Sequence, residues 1–104
     1  MVTTRSPDIG RLTLTLEKGD TVTVTVPEDG QAVFRLDDVV PGRIEVRCAY
    51  EWSPEATCRI GRRRSLDVWP PGGGLLTICY VDLKRGSRAR IAFEAPKTWN
   101  IRRN

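Results

Sequence analysis

Arginine dominates the candidate chemistry of this 104-residue chain. Two clusters stand out, Arg62-Arg63-Arg64 and Arg102-Arg103, and guanidinium groups bind phosphates through paired N–H donors. Residues 56–104 carry 11 Lys/Arg against 3 Asp/Glu, whereas residues 1–55 carry 6 against 10. The net charge of +8 on the second part predicts a polyanionic partner such as nucleic acid.

The sequence lacks the residue patterns of metal sites, phosphate-binding loops and catalytic sites. The chain has no histidine, and its three cysteines show no C-x-x-C spacing, so we expect no metal site and no cofactor. The glycine-rich run PPGGG (Pro70–Gly74) precedes a predicted strand rather than a helix, which indicates a turn and not a phosphate-binding loop. No nucleophile motif or carboxylate pair is evident, so we do not expect an enzyme.

The expected cellular location rests on the lack of a transmembrane segment and of a signal peptide. No run of 18 apolar residues predicts a transmembrane helix, and the first ten residues lack the apolar stretch of a signal peptide. We expect a cytoplasmic protein with reduced thiols, no membrane partner, and a Cys48–Cys58 bridge left open as an alternative.

Strict alternation of apolar and polar residues predicts that strands position these groups. RLTLTL (Arg11–Leu16) and TVTVTV (Thr21–Val26) flank the turn EKGD, which predicts a β-hairpin. We expect an all-β sandwich or barrel with little or no helix. The other predicted strands are Gln31–Leu36, Arg43–Cys48, Cys58–Arg64, Leu66–Trp69, Leu75–Val81, Arg88–Phe93 and Thr98–Arg102.

An internal repeat organises these strands. VPGRIEVRC (40–48) and APKTWNIRR (95–103) share a pattern at an offset of 55 residues, and a rival offset of 43 aligns VRCAYE with ARIAFE. The 55-residue offset is preferred because it gives two units of five strands, 1–48 and 58–104, joined by a linker at 49–57. Units this small are marginal alone, so we expect them to intertwine around one shared core.

GDTVTVTV (19–26) and RIAFEAPKTWNIRR (90–103) resemble the carbon storage regulator family of bacterial RNA-binding translational regulators. The resemblance implies a homodimer of intertwined five-stranded chains fused head to tail, hence a monomeric pseudo-dimer. It also implies binding of GGA triplets in single-stranded loops of mRNA leaders. The family's C-terminal helix, where its protein antagonists dock, has no counterpart in either copy, so we do not expect such an antagonist.

The resemblance further implies two unequal RNA sites. The first would join strand Val2–Ser6 to strand Thr98–Arg103, and the second would join Ile60–Arg64 to Ile44–Cys48. Cys48 replaces a key arginine of the second site and Glu45 adds a carboxylate, so we expect the second site to be the weaker one. The implied RNA-binding residues are Thr4, Arg5, Trp99, Ile101, Arg102 and Arg103 at the first site, and Arg62, Arg63, Arg64 and Arg47 at the second.

The expected mechanism is occupancy of a transcript, which would alter its translation or stability without any bond being made or broken. The alternative is a family relative that has lost RNA binding and serves as a protein-interaction module. The acidic first half, together with Glu45 and Cys48, favours that alternative.

Overall fold

A computed structural model describes residues 9–86 and 88–104, which form nine strands, no helix, and two packed antiparallel sheets. This confirms the all-β prediction. The described residues contain no helix that could span a membrane. The strands are β1 (Ile9–Glu17), β2 (Thr21–Val26), β3 (Gly30–Val40), β4 (Arg43–Tyr50), β5 (Ser53–Gly61), β6 (Ser65–Val68), β7 (Leu76–Leu83), β8 (Arg88–Pro96) and β9 (Asn100–Arg103).

The four-stranded sheet has the order β1-β8-β7-β6, and the five-stranded sheet has the order β5-β4-β3-β2-β9. β1 pairs with β8 along nine residues, from Ile9 opposite Pro96 to Glu17 opposite Arg88. The predicted hairpin of β1 and β2 is therefore wrong, because the turn at 18–20 carries the chain from one sheet to the other. Alternation and a glycine turn identify two strands and a reversal, but long-range packing decides which strands pair.

The core lies between the two sheets and follows the period-2 pattern of the strands. Ala32, Phe34 and Leu36 of β3 are buried, while Val33 and Arg35, which alternate with them, are half-buried on the outer face of the sheet. Phe34 meets Phe93 of the opposite sheet with ring centroids 6.3 Å apart. Tyr80 is fully buried, and its hydroxyl donates to the carbonyl of Val40 at 3.3 Å.

The internal repeat has an offset of 44 residues. β1 begins at residue 9 and β5 at residue 53, 44 positions later, and both strands are nine residues long. Three turn hydrogen bonds recur at the same offset. Gly19 N–H donates to the Leu36 carbonyl at 2.7 Å, and Arg63 N–H donates to the Tyr80 carbonyl at 2.7 Å. In the second pair, Leu36 N–H donates to the Asp20 carbonyl and Tyr80 N–H donates to the Arg64 carbonyl. In the third pair, Asp20 N–H donates to the Glu17 carbonyl and Arg64 N–H donates to the Gly61 carbonyl.

The preferred offset of 55 is therefore wrong, and the rival offset of 43 does not match the observed one either. One repeat comprises β1–β4 and the other β5–β8. The first strand of each repeat lies in the sheet of the other, since β1 pairs with β8 and β5 pairs with β4. β9 is a ninth strand that pairs with β2. The similarity of 40–48 to 95–103 compared β4 with β9, which share composition but occupy different places.

The segment 49–57 is not a linker. It contains the end of β4, a two-residue turn at 51–52, and the first half of β5. Pro54 lies in β5, which is an edge strand where a missing N–H donor is tolerated.

The antiparallel order places alternate turns at opposite ends of the sandwich. We call the end formed by turns 18–20, 41–42, 62–64 and 84–86 the basic end, and the end formed by turns 27–29, 51–52, 69–75 and 97–99 the acidic end. Turns of the basic end carry Lys18, Arg62, Arg63, Arg64, Lys84 and Arg85 against Asp20. Turns of the acidic end carry Glu28, Asp29 and Glu51 against Lys97.

Candidate nucleic-acid interface

One side of the sandwich is an open groove between two edge strands. β1 ends the four-stranded sheet and β9 ends the five-stranded sheet, and the two face each other across what we call the edge groove. Towards the acidic end the groove widens into a cavity of about 250 Å³, lined by Gly10, Arg11, Leu12, Ala95, Pro96, Lys97, Trp99 and Ile101. Towards the basic end a second cavity of about 320 Å³ is lined by Thr15, Glu17, Arg88 and Arg103.

Arg103 bridges the two walls of the edge groove. It is the last residue of β9, and its guanidinium donates to the carbonyl of Thr15 on β1 at 3.1 Å and to the carboxylate of Asp20 at 2.8 Å. Its side chain keeps 47% exposure, so part of the guanidinium still faces solvent. Arg103, one of the predicted RNA-binding residues, therefore lies at the groove, but the carboxylate of Asp20 partly neutralises its charge.

The other wall is the edge of β1 that pairs with no strand of the described residues. In an antiparallel pair, a residue directs its N–H and C=O either both towards its partner strand or both away from it. The Thr15 carbonyl accepts from Arg103 and so points away from β8. By the two-residue period, Thr13 and Arg11 also direct their backbone groups into the groove. These donors and acceptors are suited to the polar edges of unpaired bases.

Two of the predicted residues of β9 and its preceding turn pack inward. Ile101 is half-buried against the core and opposes Val24. Trp99 is half-buried and lies over Gly74, where an added Cβ would meet its Cζ2 atom at 2.6 Å. Because one part of the Trp99 ring is covered by this loop, only the remainder, which lines the cavity, can contact a ligand.

Arg102 and Arg47 lie outside the groove on the outer face of the five-stranded sheet. Arg102 opposes Thr23, and its guanidinium is 3.4 Å from the side-chain oxygen of Asn104. Arg47 pairs with Asp37 at 3.2 Å and with Glu55 at 3.5 Å. The pKa of the Asp37 carboxyl is lowered, chiefly by the hydrogen bond from Arg35 and also by Arg47, so these residues form a neutralised cluster.

The second predicted site is assembled differently. Ile60 and Ile44 do oppose each other in neighbouring strands, but β4 is an inner strand and Cys48 is fully buried. Arg62, Arg63 and Arg64 leave β5 as the turn to β6 at the basic end. Within the described residues no strand lies beside β6 as β9 lies beside β2, so the repeat yields one complete edge groove.

Two predicted residues, Thr4 and Arg5, with the strand Val2–Ser6 that would carry them, lie outside the described residues. Sequence reasoning missed Thr15, Arg88 and the exposed Leu12, which line the groove. Their roles depend on β1 being an edge strand opposite β9, and no local pattern signals that placement. All three cysteines are free thiols.

No protein-family model, no curated protein sequence and no solved structure matches this chain.

Proposed function

We propose that this protein binds single-stranded RNA containing a GGA triplet in the edge groove, and that occupancy of an mRNA leader regulates its translation or stability. The observation that supports this most is the backbone edge of β1, which no strand of the described residues covers, facing Arg103 across an open groove. The groove resembles what the family likeness implies, a first strand beside a last strand, although β1 rather than Val2–Ser6 supplies the first strand.

Each part of the groove has a task in such a complex. Thr13 and Thr15 offer backbone donors and acceptors to the edges of splayed bases, while Leu12 and Ile101 supply apolar contact beneath them. Arg103 and Arg88, at the basic end, supply charge to the phosphates. Arg88 is paired with Glu17 at 2.9 Å, so its contribution requires exchange of that surface ion pair, which is weak in water.

The test measures fluorescence anisotropy of a labelled hairpin RNA with GGA in its loop, and of the same hairpin with CCA. Wild-type protein is compared with Arg103→Ala and with Arg59→Ala, a matched loss of one exposed arginine that is likewise paired with a carboxylate, Glu45 at 3.1 Å. We expect GGA-dependent binding that Arg103→Ala weakens and Arg59→Ala preserves. Binding that ignores both the triplet and Arg103 would refute the proposal.

The alternative, a protein-interaction module, draws on a specific observation. The arginines along the groove are each paired with a carboxylate: Arg103 with Asp20, Arg88 with Glu17, and Arg11 with Glu94. A neutralised groove with a free strand edge would also accept an extended peptide by strand addition. Salt discriminates the two readings, since RNA affinity falls steeply with ionic strength and strand addition depends on it little.

A further inference from the structure

The turns that begin β2 and β6 are built alike but charged differently. Residues 18–20 and 62–64 occupy equivalent positions in the two repeats and share the three backbone hydrogen bonds described above. The first turn reads Lys-Gly-Asp and has no net charge, whereas the second reads Arg-Arg-Arg. Because the backbone is the same, the turn itself does not require the three charges.

The middle residue makes the difference sharper. Gly19 has φ of 95°, and its equivalent, Arg63, has φ of 62°. A left-handed conformation favours glycine and is unfavourable for a residue with a Cβ. The second repeat therefore keeps a guanidinium where glycine would fit better, and backbone strain of this kind clusters at functional sites.

The three guanidinium groups are available to a ligand. Arg62, Arg63 and Arg64 are exposed, and none forms an ion pair with a described residue. Lys84 and Arg85, in another turn of the basic end, are likewise exposed and unpaired among the described residues. Five exposed cations thus lie in turns of the basic end, and no carboxylate of a described residue forms an ion pair with them.

The basic end offers nothing on which a base could stack. The aromatic residues of the chain are either in the core, as Phe34, Phe93 and Tyr80 are, or at the acidic end. Those at the acidic end are Tyr50, Trp52, Trp69 and Trp99. Proteins that hold single strands combine cations with aromatic stacking, whereas duplex RNA is bound through its phosphates and shape. The chemistry of this end fits the phosphates of a double-stranded stem.

We propose that the turn Arg62–Arg64, with Lys84 and Arg85, binds the phosphate backbone of an RNA stem irrespective of its sequence. If the edge groove binds a GGA loop as proposed above, the preferred ligand is a stem-loop, whose loop lies in the groove and whose stem crosses the basic end. This extension rests on the proposed function, whereas binding of a plain duplex does not.

Arg63→Gly tests the site without damaging the fold. The substitution removes one charge and relieves the left-handed strain, so we expect a melting temperature equal to or above that of the wild type. We expect weaker binding to a short blunt RNA duplex without GGA, and a slope of log K against log salt that is shallower by about one. The matched control is Glu28→Gly, because Glu28 also has a left-handed φ, of 74°, but lies at the acidic end. It should keep full duplex binding.

Three probes separate this inference from the proposed function. Plain duplex, a linear GGA oligonucleotide and a GGA stem-loop are titrated against the wild type, Arg63→Gly, the double variant Arg62→Gln/Arg64→Gln, and Arg103→Ala. Loss of duplex and stem-dependent affinity in the first two variants, with linear binding retained, supports the inference. Duplex binding that they do not change, or no duplex binding by the wild type, overturns it. If the wild type binds duplex but shows no preference for GGA, the site at Arg62–Arg64 is supported and only the proposed function is refuted.

Discussion

Gly74→Ala should destabilise the protein more than Gly19→Ala, although both glycines adopt a left-handed conformation. Their φ angles are 87° and 95°, so the backbone cost of a Cβ is similar at both sites, about 1–2 kcal/mol. The sites differ in what the new methyl group meets. Nothing lies within 4 Å of a Cβ at Gly19, whereas a Cβ at Gly74 would lie 2.6 Å from Cζ2 and 3.2 Å from Cη2 of Trp99.

Contacts that short force the indole of Trp99 to move. Moving a packed aromatic ring off its site adds an overpacking penalty of about 1–3 kcal/mol. We therefore expect Gly19→Ala to lose about 1–2 kcal/mol of unfolding free energy, and Gly74→Ala to lose that amount and the overpacking penalty as well. Urea denaturation followed by circular dichroism measures both, and for a domain near this size each kcal/mol shifts the melting temperature by roughly 4–8 °C.

The control is the same pair of substitutions in a Trp99→Ala background. Once the indole is gone, Gly74→Ala should cost no more than Gly19→Ala, because only the backbone term remains. Equal losses from the two substitutions in the wild-type background would refute the packing of Trp99 over Gly74, and with it the placement of that ring along the wall of the edge groove.

Two further outcomes follow from single contacts. Asp20→Asn should raise the affinity for a GGA hairpin, because it removes the negative charge that pairs with Arg103. The amide oxygen of the new side chain can still accept the hydrogen bond from Glu17 N–H, so the turn is kept. Unchanged affinity at low salt would contradict this prediction. Burial raises the pKa of the Cys48 thiol from 9.0 to about 12, so the folded state favours the protonated thiol. That stabilisation is present below pH 9 and is lost as the pH rises towards 12, so Cys48→Val should lose less stability than the wild type between pH 8 and pH 11 in urea titrations.

Local patterns predicted the strands and turns well, because those depend on nearby residues. TVTVTV became β2 with the predicted bounds, and the glycine turns near Gly19 and Gly74 lie where the sequence placed them. Pairing depends on residues far apart in the chain. The partner of β1 is β8, more than 70 positions away, and nothing in RLTLTL distinguishes that arrangement from a hairpin with β2. The repeat offset failed for the same reason, since β4 and β9 are alike in composition and different in place.

The residues of the candidate site also divide into those that local sequence could identify and those whose placement depends on distant residues. The sequence identified Arg103 and the arginine turn at 62–64 by residue type and clustering, and these positions lie at the edge groove and at the basic end. It also assigned Arg47 to the second site, but Arg47 is held by Asp37 and Glu55, whose proximity depends on strand register. A single sequence gives no direct sign of such ion pairing.

Exchange of first strands between the repeats has a consequence for the whole molecule. β1 is held by nine residue pairs with β8 of the other repeat, while β5 and β9 complete the sheet built on β2, β3 and β4. Neither half can bury its apolar residues alone, because Phe34 of one half packs against Phe93 of the other. A cut in the two-residue turn at 51–52 should therefore leave the two fragments bound as one species.

A protease site inserted in that turn tests this. After cleavage, the nicked protein should elute from a sizing column with the uncut protein under native conditions. Its refolding from urea should become dependent on concentration, because a bimolecular association replaces an intramolecular one. Fragments that separate without denaturant and each keep strand structure would show that the repeats fold independently, and the shared core and the edge groove between β1 and β9 would both have to be abandoned.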